Sequence, residues 1–267
     1  MNVKFFRSAE KYLTYHASGL SCGNGSKGSW VVLSTATERE SNVLIVQVHE
    51  SSGANRDFLL DLAIGAVNDE QTVIKNLPFS SRNVSQELMQ IALPFVIAKG
   101  SRLQVRGQAN AASSSCAVAV SLGYGGARPE SPNQRILSLG VDEGDSGGTS
   151  IDPGGTAHTL GALVQLSSAL PFDVHTVCVV FGNQGNSART DATWLVSLFA
   201  GASGDEEIVI PEILLECNAT VDNLVSSETF WLSRPIPKGS RLSAGARCSI
   251  TDASDRLFDL ALVVGGR

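Results

Sequence analysis

Large apolar residues alternate with other positions along Phe58-Leu59-Leu60-Asp61-Leu62-Ala63-Ile64, with Phe58, Leu60, Leu62 and Ile64 on one side. A period of two marks a strand with one buried face, because successive side chains point to opposite faces of a sheet. The period returns in SRLQVRGQA, with Leu103 and Val105 inward and Arg102, Gln104 and Arg106 outward, and again in Val118, Val120 and Leu122. SNVLIVQV and HTVCVVF are β-branched runs of strand length. Turn signals separate the runs: VNDE, GASGDE, and the Pro and Gly around IAKGS and IPKGS. A trace of helical period occurs only over Phe5 to Tyr15. The pattern predicts an all-β protein of short strands.

The strands come twice. KGSRL occurs at Lys99 to Leu103 and again at Lys238 to Leu242. GSWVVL from Gly28 matches GALVQL from Gly161, and FLLDLAIGAVNDEQTVI from Phe58 matches WLVSLFAGASGDEEIVI from Trp194. AVAVSLGYGG, ending at Gly126, matches FDLALVVGG, ending at Gly266. The spacing between matched residues grows from 133 (Gly28 to Gly161) to 140 (Gly125 to Gly265), as small loop insertions between strands of constant length produce. Alternation survives between the copies: Phe58, Leu60, Leu62 and Ile64 become Trp194, Val196, Leu198 and Ala200. The expected architecture is two tandem antiparallel β-sandwiches of jelly-roll type related by an internal repeat, with a short N-terminal arm. The boundaries are 1–27 for the arm, 28–126 for the first sandwich, 127–160 for a Gly/Ser/Asp/Pro-rich linker, and 161–267 for the second sandwich.

Composition narrows the function. The 267 residues are 43% hydrophobic and 17% charged, enough to bury a core. A net charge of −6 argues against a nucleic-acid partner, whose backbone needs clustered Lys and Arg. No run approaches the ~18 apolar residues of a membrane span, so no membrane partner is expected. MNVKFFRSAEKYLTYH lacks the apolar core of a secretory signal. The five cysteines are odd in number, far apart and without CxxC spacing, which points to buried thiols made in a reducing cytoplasm; a single disulfide stays open.

Gly144-Asp145-Ser146-Gly147-Gly148 spells the pentapeptide around the nucleophile of trypsin-like proteases. That chemistry needs a histidine base and an orienting aspartate, both earlier in such chains. Only His16 and His49 precede Ser146, in TYHAS and QVHES, neither in the signature context. The match is read as chance. Asp142, Glu143, Asp145 and Asp152 could offer oxygens to calcium, but their spacing is not that of an EF-hand, and a solvated acidic linker accounts for them. His49, His158 and His175 share no matched position, and Asp205, Glu206 and Glu207 fall on a hairpin tip. Neither catalytic residues, nor metal ligands, nor a cofactor are expected. Trp30 and Trp194 match Leu163 and Phe58 and are assigned to the core; Trp231 matches Ala92 and is kept as a surface contact.

The basic-aromatic lead, the G-S-W-V-x-L opening, the IGA…ExxVI hairpin and the proline-flanked KGSRL resemble structural proteins of tailed-bacteriophage virions. The resemblance implies a noncatalytic virion component, a capsid decoration protein or a tail or fibre part, assembled in the bacterial host cytoplasm. Its partners would be copies of itself and other virion proteins. Phe5, Phe6, Tyr12 and Leu13 in the arm are the candidate assembly contacts; the arm could equally pack on its own sandwich. The competing reading is a sandwich that binds a glycan or host receptor through its loops.

Overall fold

The alternating runs become strands, and the turn signals become the corners between them. The computed structural model describes residues 11–50, 56–81, 89–125, 135–144, 146–183, 192–217, 225–250 and 257–267. Among these, the first half carries β1 (Lys11–Asn24), β2 (Val31–Ser34), β3 (Ser41–Glu50), β4 (Arg56–Ala66), β5 (Asp69–Ser81), β6 (Met89–Ile97), β7 (Arg102–Ala109) and β8 (Ser115–Tyr124). The second carries β9 (Arg135–Leu139), β10 (Thr149–Ile151), β11 (Val164–Ser167), β12 (Val174–Asn183), β13 (Ala192–Gly201), β14 (Glu207–Cys217), β15 (Val225–Ile236), β16 (Arg241–Cys248) and β17 (Phe258–Gly266). The described residues contain no helix.

In the first half, strand pairing gives the orders β1-β8-β3-β6 and β2-β7-β4-β5. In the second, β9 and β10 both pair with β17, giving β9/β10-β17-β12-β15 beside β11-β16-β13-β14. Eight strands interleaved in this way make a jelly-roll order. Registers agree as well. Val31 lies opposite Val105 and Leu62 opposite Val105, while Val164 lies opposite Ala244 and Leu198 opposite Ala244.

The KGSRL motif has the same contacts in both halves. Gly100 and Gly239 take φ of 84° and 83°, a left-handed turn that glycine adopts without steric cost. The Gly100 amide donates to the Thr37 carbonyl and the Gly239 amide to that of Leu170, both at 2.8 Å. The motif's arginine reaches the hairpin carboxylate: Arg102 pairs with Glu70 at 3.0 Å, and Arg241 with Glu206. The hairpin tip and the KGSRL turn are thus two ends of one contact.

Two buried clusters fill the molecule. One is built on Phe58, Leu60, Leu62, Leu103, Val118 and Val120, with Phe58 stacked on Phe79 at 4.7 Å. The other is built on Trp194, Val196, Leu198, Leu242, Phe258 and Leu260. Strands β12 and β17 serve both. Val177, Val179, Leu262 and Val264 face the second cluster, whereas Cys178, Val180, Ala261 and Val263 face the first. Burial on both faces suits near-continuous apolar runs such as VCVVF and LALVV.

Three expectations change. Residues 11–24 of the expected arm are strand β1, hydrogen-bonded along β8 and then, from Cys22 to Asn24, parallel to β7. A register shift between Ala17 and Leu20 interrupts the ladder with β8 before the strand moves onto β7 at Cys22, and over residues 11–15 the faint helical period yielded to this pairing. The expected linker 127–160 contributes β9 and β10. Its Gly, Ser, Asp and Pro content concealed the apolar Ile136, Leu137 and Leu139. Finally, β9 pairs antiparallel with β17 and parallel with β5, at Ile74–Ile136 and Lys75–Leu137, so a thirteen-stranded mixed sheet crosses between the halves.

Candidate functional site: the junction between the halves

Strands β9 and β10 sit on β17 as β1 sits on β8, with one difference. In β1, Leu13 lies opposite Leu122 and Tyr15 opposite Val120. On β17, Leu139 lies opposite Leu262 and Thr149 opposite Leu260. Where β1 runs through a single residue, Thr14, the second half sends out the whole loop from Gly140 to Gly148. That loop lands on the first half. Val141 packs against the first core. The Asn76 side-chain amide donates to Glu143 Oε1 (2.5 Å), and Gln108 Nε2 donates to the Glu143 carbonyl (2.7 Å) and to Ser146 Oγ (3.2 Å). Lys75 lies 3.7 Å from Glu143. Asn76, Gln108 and Ser146 are all buried.

This placement accounts for the protease-like pentapeptide. Ser146 is fully enclosed, at φ 65°, with the Gln108 side chain on its hydroxyl, so no substrate carbonyl can reach it. A Cβ at Gly148 would lie 2.9 Å from the Leu260 backbone nitrogen, so only glycine allows the loop to lie this close to β17. Asp142 accepts the Gly144 amide (2.7 Å) and Asp152 that of Gly154 (2.7 Å), each closing its own turn. Asp145 lies outside the described residues. No group of three His, Cys, Asp or Glu among the described residues is placed to hold a metal ion.

Beneath the loop lies a charged cluster that the periodicity did not single out. Asp61, at the centre of β4, has a fully buried carboxylate that takes Lys27 Nζ at 3.0 Å, Arg106 Nε at 2.9 Å and the backbone amide of Asn76 at 2.9 Å. Lys27 also donates to the Leu59 carbonyl (3.1 Å). Burial pushes the Lys27 ammonium below the usual lysine range, against the opposing pull of Asp61 and Glu143. The Arg106 guanidinium lies 4.5 Å over the Trp30 ring. Trp30 is therefore a half-exposed cover on a cation rather than a core residue, while Trp194 is core as expected. The hint in the sequence was one carboxylate inside FLLDLAI, at a position where the matched strand has Ser197.

The matched corner of the second half has opposite chemistry. Lys27, Trp30, Asp61 and Arg106 correspond to Leu160, Leu163, Ser197 and Gly245. Ser197 Oγ keeps the backbone bond, accepting the Glu212 amide at 3.2 Å. Glu212 and Asn76 both have positive φ, 41° and 57°, at the matched bulge. A Cβ at Gly245 would meet Leu163 at 2.7 Å and Leu160 at 3.2 Å, so these leucines lie directly on the strand. Leu160 is 37%, Ile208 58% and Leu214 66% exposed on this outer sheet face. It is an apolar patch with Arg247 and Glu212 paired beside it at 2.9 Å.

Of the candidate assembly contacts, Phe5 and Phe6 lie outside the described residues. Tyr12 is 38% exposed on the outer face of β1, together with Thr14, whose hydroxyl is 2.8 Å from that of Ser121. Leu13 alternates to the side of Tyr15, which packs against the first core. Trp231 lies on β15 opposite Thr176, 38% exposed.

No protein-family model and no curated protein sequence matches the chain. Solved structures with similar folds include PNGase F, a glycosylasparaginase from Flavobacterium meningosepticum (TM-score 0.42, 8% identity, 96% of each chain). They also include the STIV MCP (TM-score 0.39, 8% identity, 96% of each chain) and the major capsid protein P2 of bacteriophage PM2 (TM-score 0.39, 8% identity, 96% of this chain and 97% of that one). An enzyme and two viral shell proteins thus stand side by side among the similar structures.

Proposed function

We propose that this chain is a non-enzymatic structural subunit of a bacteriophage virion, built as two tandem jelly rolls from one internal repeat and acting through protein–protein assembly with copies of itself. The observation that supports it is the junction. The outer face of β12 and β17 closes over the first core, and the Gly140–Gly148 loop lands on the outer face around Asn76 and Gln108, so the two halves meet by unlike surfaces. Unlike surfaces on a repeated unit make a heterologous contact, which propagates into a ring or an open array. The second half presents the matched outer face as the Leu160, Ile208 and Leu214 patch. The first half presents the matched partner face around β1 and Tyr12. A second copy would bring that face to the patch.

The test is sedimentation velocity with negative-stain microscopy on the full chain and on Ile208→Asp and Leu214→Asp. Both sites are well exposed, so the variants should keep the wild-type circular dichroism and melting temperature. Wild type should form closed or extended oligomers, and the variants should sediment as single chains. A wild-type chain that stays monomeric at high concentration, or variants that assemble like wild type, would remove the support for this reading.

A further inference from the structure

Cys22 and Cys116 are buried neighbours, with their sulfurs 3.8 Å apart. They lie where β1 leaves β8 and turns onto β7. Leu20 is the last residue before the turn to face Cys116, and the Cys22 amide donates to the Ser114 carbonyl at 3.0 Å. The Cys22 sulfur rests above Gly107 of β7, where a Cβ would come within 2.4 Å of it, so the glycine leaves the thiol its space. We propose that this pair is a redox staple: two thiols in a reducing compartment, and one intramolecular disulfide once the chain meets a small disulfide oxidant such as oxidised glutathione. The inference does not depend on the assembly reading.

A disulfide brings its sulfurs to about 2.0 Å, so the pair must close from 3.8 Å; Cys22 stands diagonal to Cys116, whose direct partner is Leu20, and both side chains already point at each other. The hydrogen bond with Cys116 and the nearby Lys27 charge hold the Cys22 thiol below the usual cysteine range, outweighing burial. Cys22 is also the less enclosed of the two, 7% exposed against 0% for Cys116, and is the attacking thiolate. It displaces one glutathione thiolate from oxidised glutathione and forms a mixed disulfide. Cys116 loses its proton and attacks the Cys22 sulfur, releasing the second glutathione. Two protein thiols and one glutathione disulfide become one protein disulfide and two glutathione thiols. The bond would tie β1 to β8 at the corner where β1 joins the two sheets of the first half.

The experiment incubates the folded chain with oxidised glutathione, alkylates the remaining thiols after unfolding, and maps the peptides. The expected result is one cross-linked peptide pair joining Cys22 to Cys116, lighter by two hydrogen atoms. The melting temperature should rise by roughly 5–10 °C and fall back on reduction, because the bond closes a long loop of the unfolded chain. Cys116→Ala should show neither change. If both cysteines stay fully alkylatable in the wild type, or pair with other cysteines, the staple does not exist. The wild-type map decides this even if the variant folds poorly.

Discussion

Replacing Asp61 with serine removes a charge without removing the hydrogen bond beneath it. Ser197 occupies the matched position and accepts the bulge amide at 3.2 Å, as Asp61 does at 2.9 Å. Asp61→Ser should therefore leave the Asn76 amide satisfied and strip the paired carboxylate from the Lys27 ammonium, whose side chain is only 16% exposed and keeps just the Leu59 carbonyl. Breaking a buried ion pair by removing one partner costs about 3–5 kcal/mol. Arg106 is 31% exposed and keeps its Trp30 contact, so it can turn to water, and the lower end, about 3 kcal/mol, applies. Lys27→Leu in the same chain removes that ammonium and copies Leu160. The double variant should thus be more stable than Asp61→Ser alone, with a coupling of at least about 1 kcal/mol between the two sites. Urea unfolding followed by tryptophan fluorescence measures all four chains of the cycle. A single-variant loss under about 1 kcal/mol, or strict additivity, would refute the assignment of a buried charge cluster that holds the junction.

Three further outcomes follow from the same contacts. Since burial lowers the folded-state pKa of Lys27, the unfolded chain binds more protons over the range between the two values; wild type should therefore gain stability relative to Lys27→Met as pH rises from neutral into the ordinary lysine range, and a wild type that instead loses stability relative to the variant would contradict it. Ser146→Ala should cost no more than about 1 kcal/mol, because Gln108 keeps the Glu143 carbonyl, and Ser146→Gly should be at least as stable at φ 65°; labelling of Ser146 in the native protein by a fluorophosphonate would show that it is not enclosed. Deleting residues 1–10 should leave β1 and the first half folded, whereas deleting residues 1–25 should unfold that half, since it strips fully buried Leu20 and the whole β1–β8 ladder; limited proteolysis of both truncations separates these results.

Much of the strand content could be read from residue order, because a period of two records which face is buried. Phe58, Leu60, Leu62 and Leu103 face the first core as their alternation says. The KGSRL identity likewise marked a turn that both halves build with one set of contacts. Three features escaped for physical reasons. A strand whose register shifts partway, as that of β1 does between Ala17 and Leu20, breaks its own period there. Short β9 and β10 flank a loop whose Gly, Ser and Asp are needed for its close approach to β17, and that composition looks like a tether. The Asp61 cluster draws Lys27, Arg106 and Asn76 from three separate segments, which local spacing cannot associate. The double-sided burial of β12 was visible in VCVVF, yet a continuous apolar run states that both faces are covered without saying by what.

Under the proposed assembly, the contrast between the two matched corners follows from what each one would receive. The corner at Asp61 receives the Gly140–Gly148 loop, which brings the Glu143 carboxylate, its carbonyl and the Ser146 hydroxyl; Asn76, Lys75 and Gln108 meet them with donors. Polar groups buried in that way must be paired, or each costs the desolvation of a group without a partner. In the proposed assembly, the corner at Ser197 receives the first half of another copy, through β1. That strand passes the same point with Thr14 alone and has no excursion loop to carry a carboxylate or a buried hydroxyl. In the places of Asn76 and Gln108 the second corner has Glu212 and Arg247, which pair with each other at 2.9 Å and ask nothing of a covering strand. Leucines at 160, 163 and 214, and a glycine at 245 where the first half has arginine, are the residues that such a contact requires. In the proposed assembly the polar corner would serve the covalently linked neighbour and the apolar corner a loopless one, and one fold would make two junctions that do not substitute for each other.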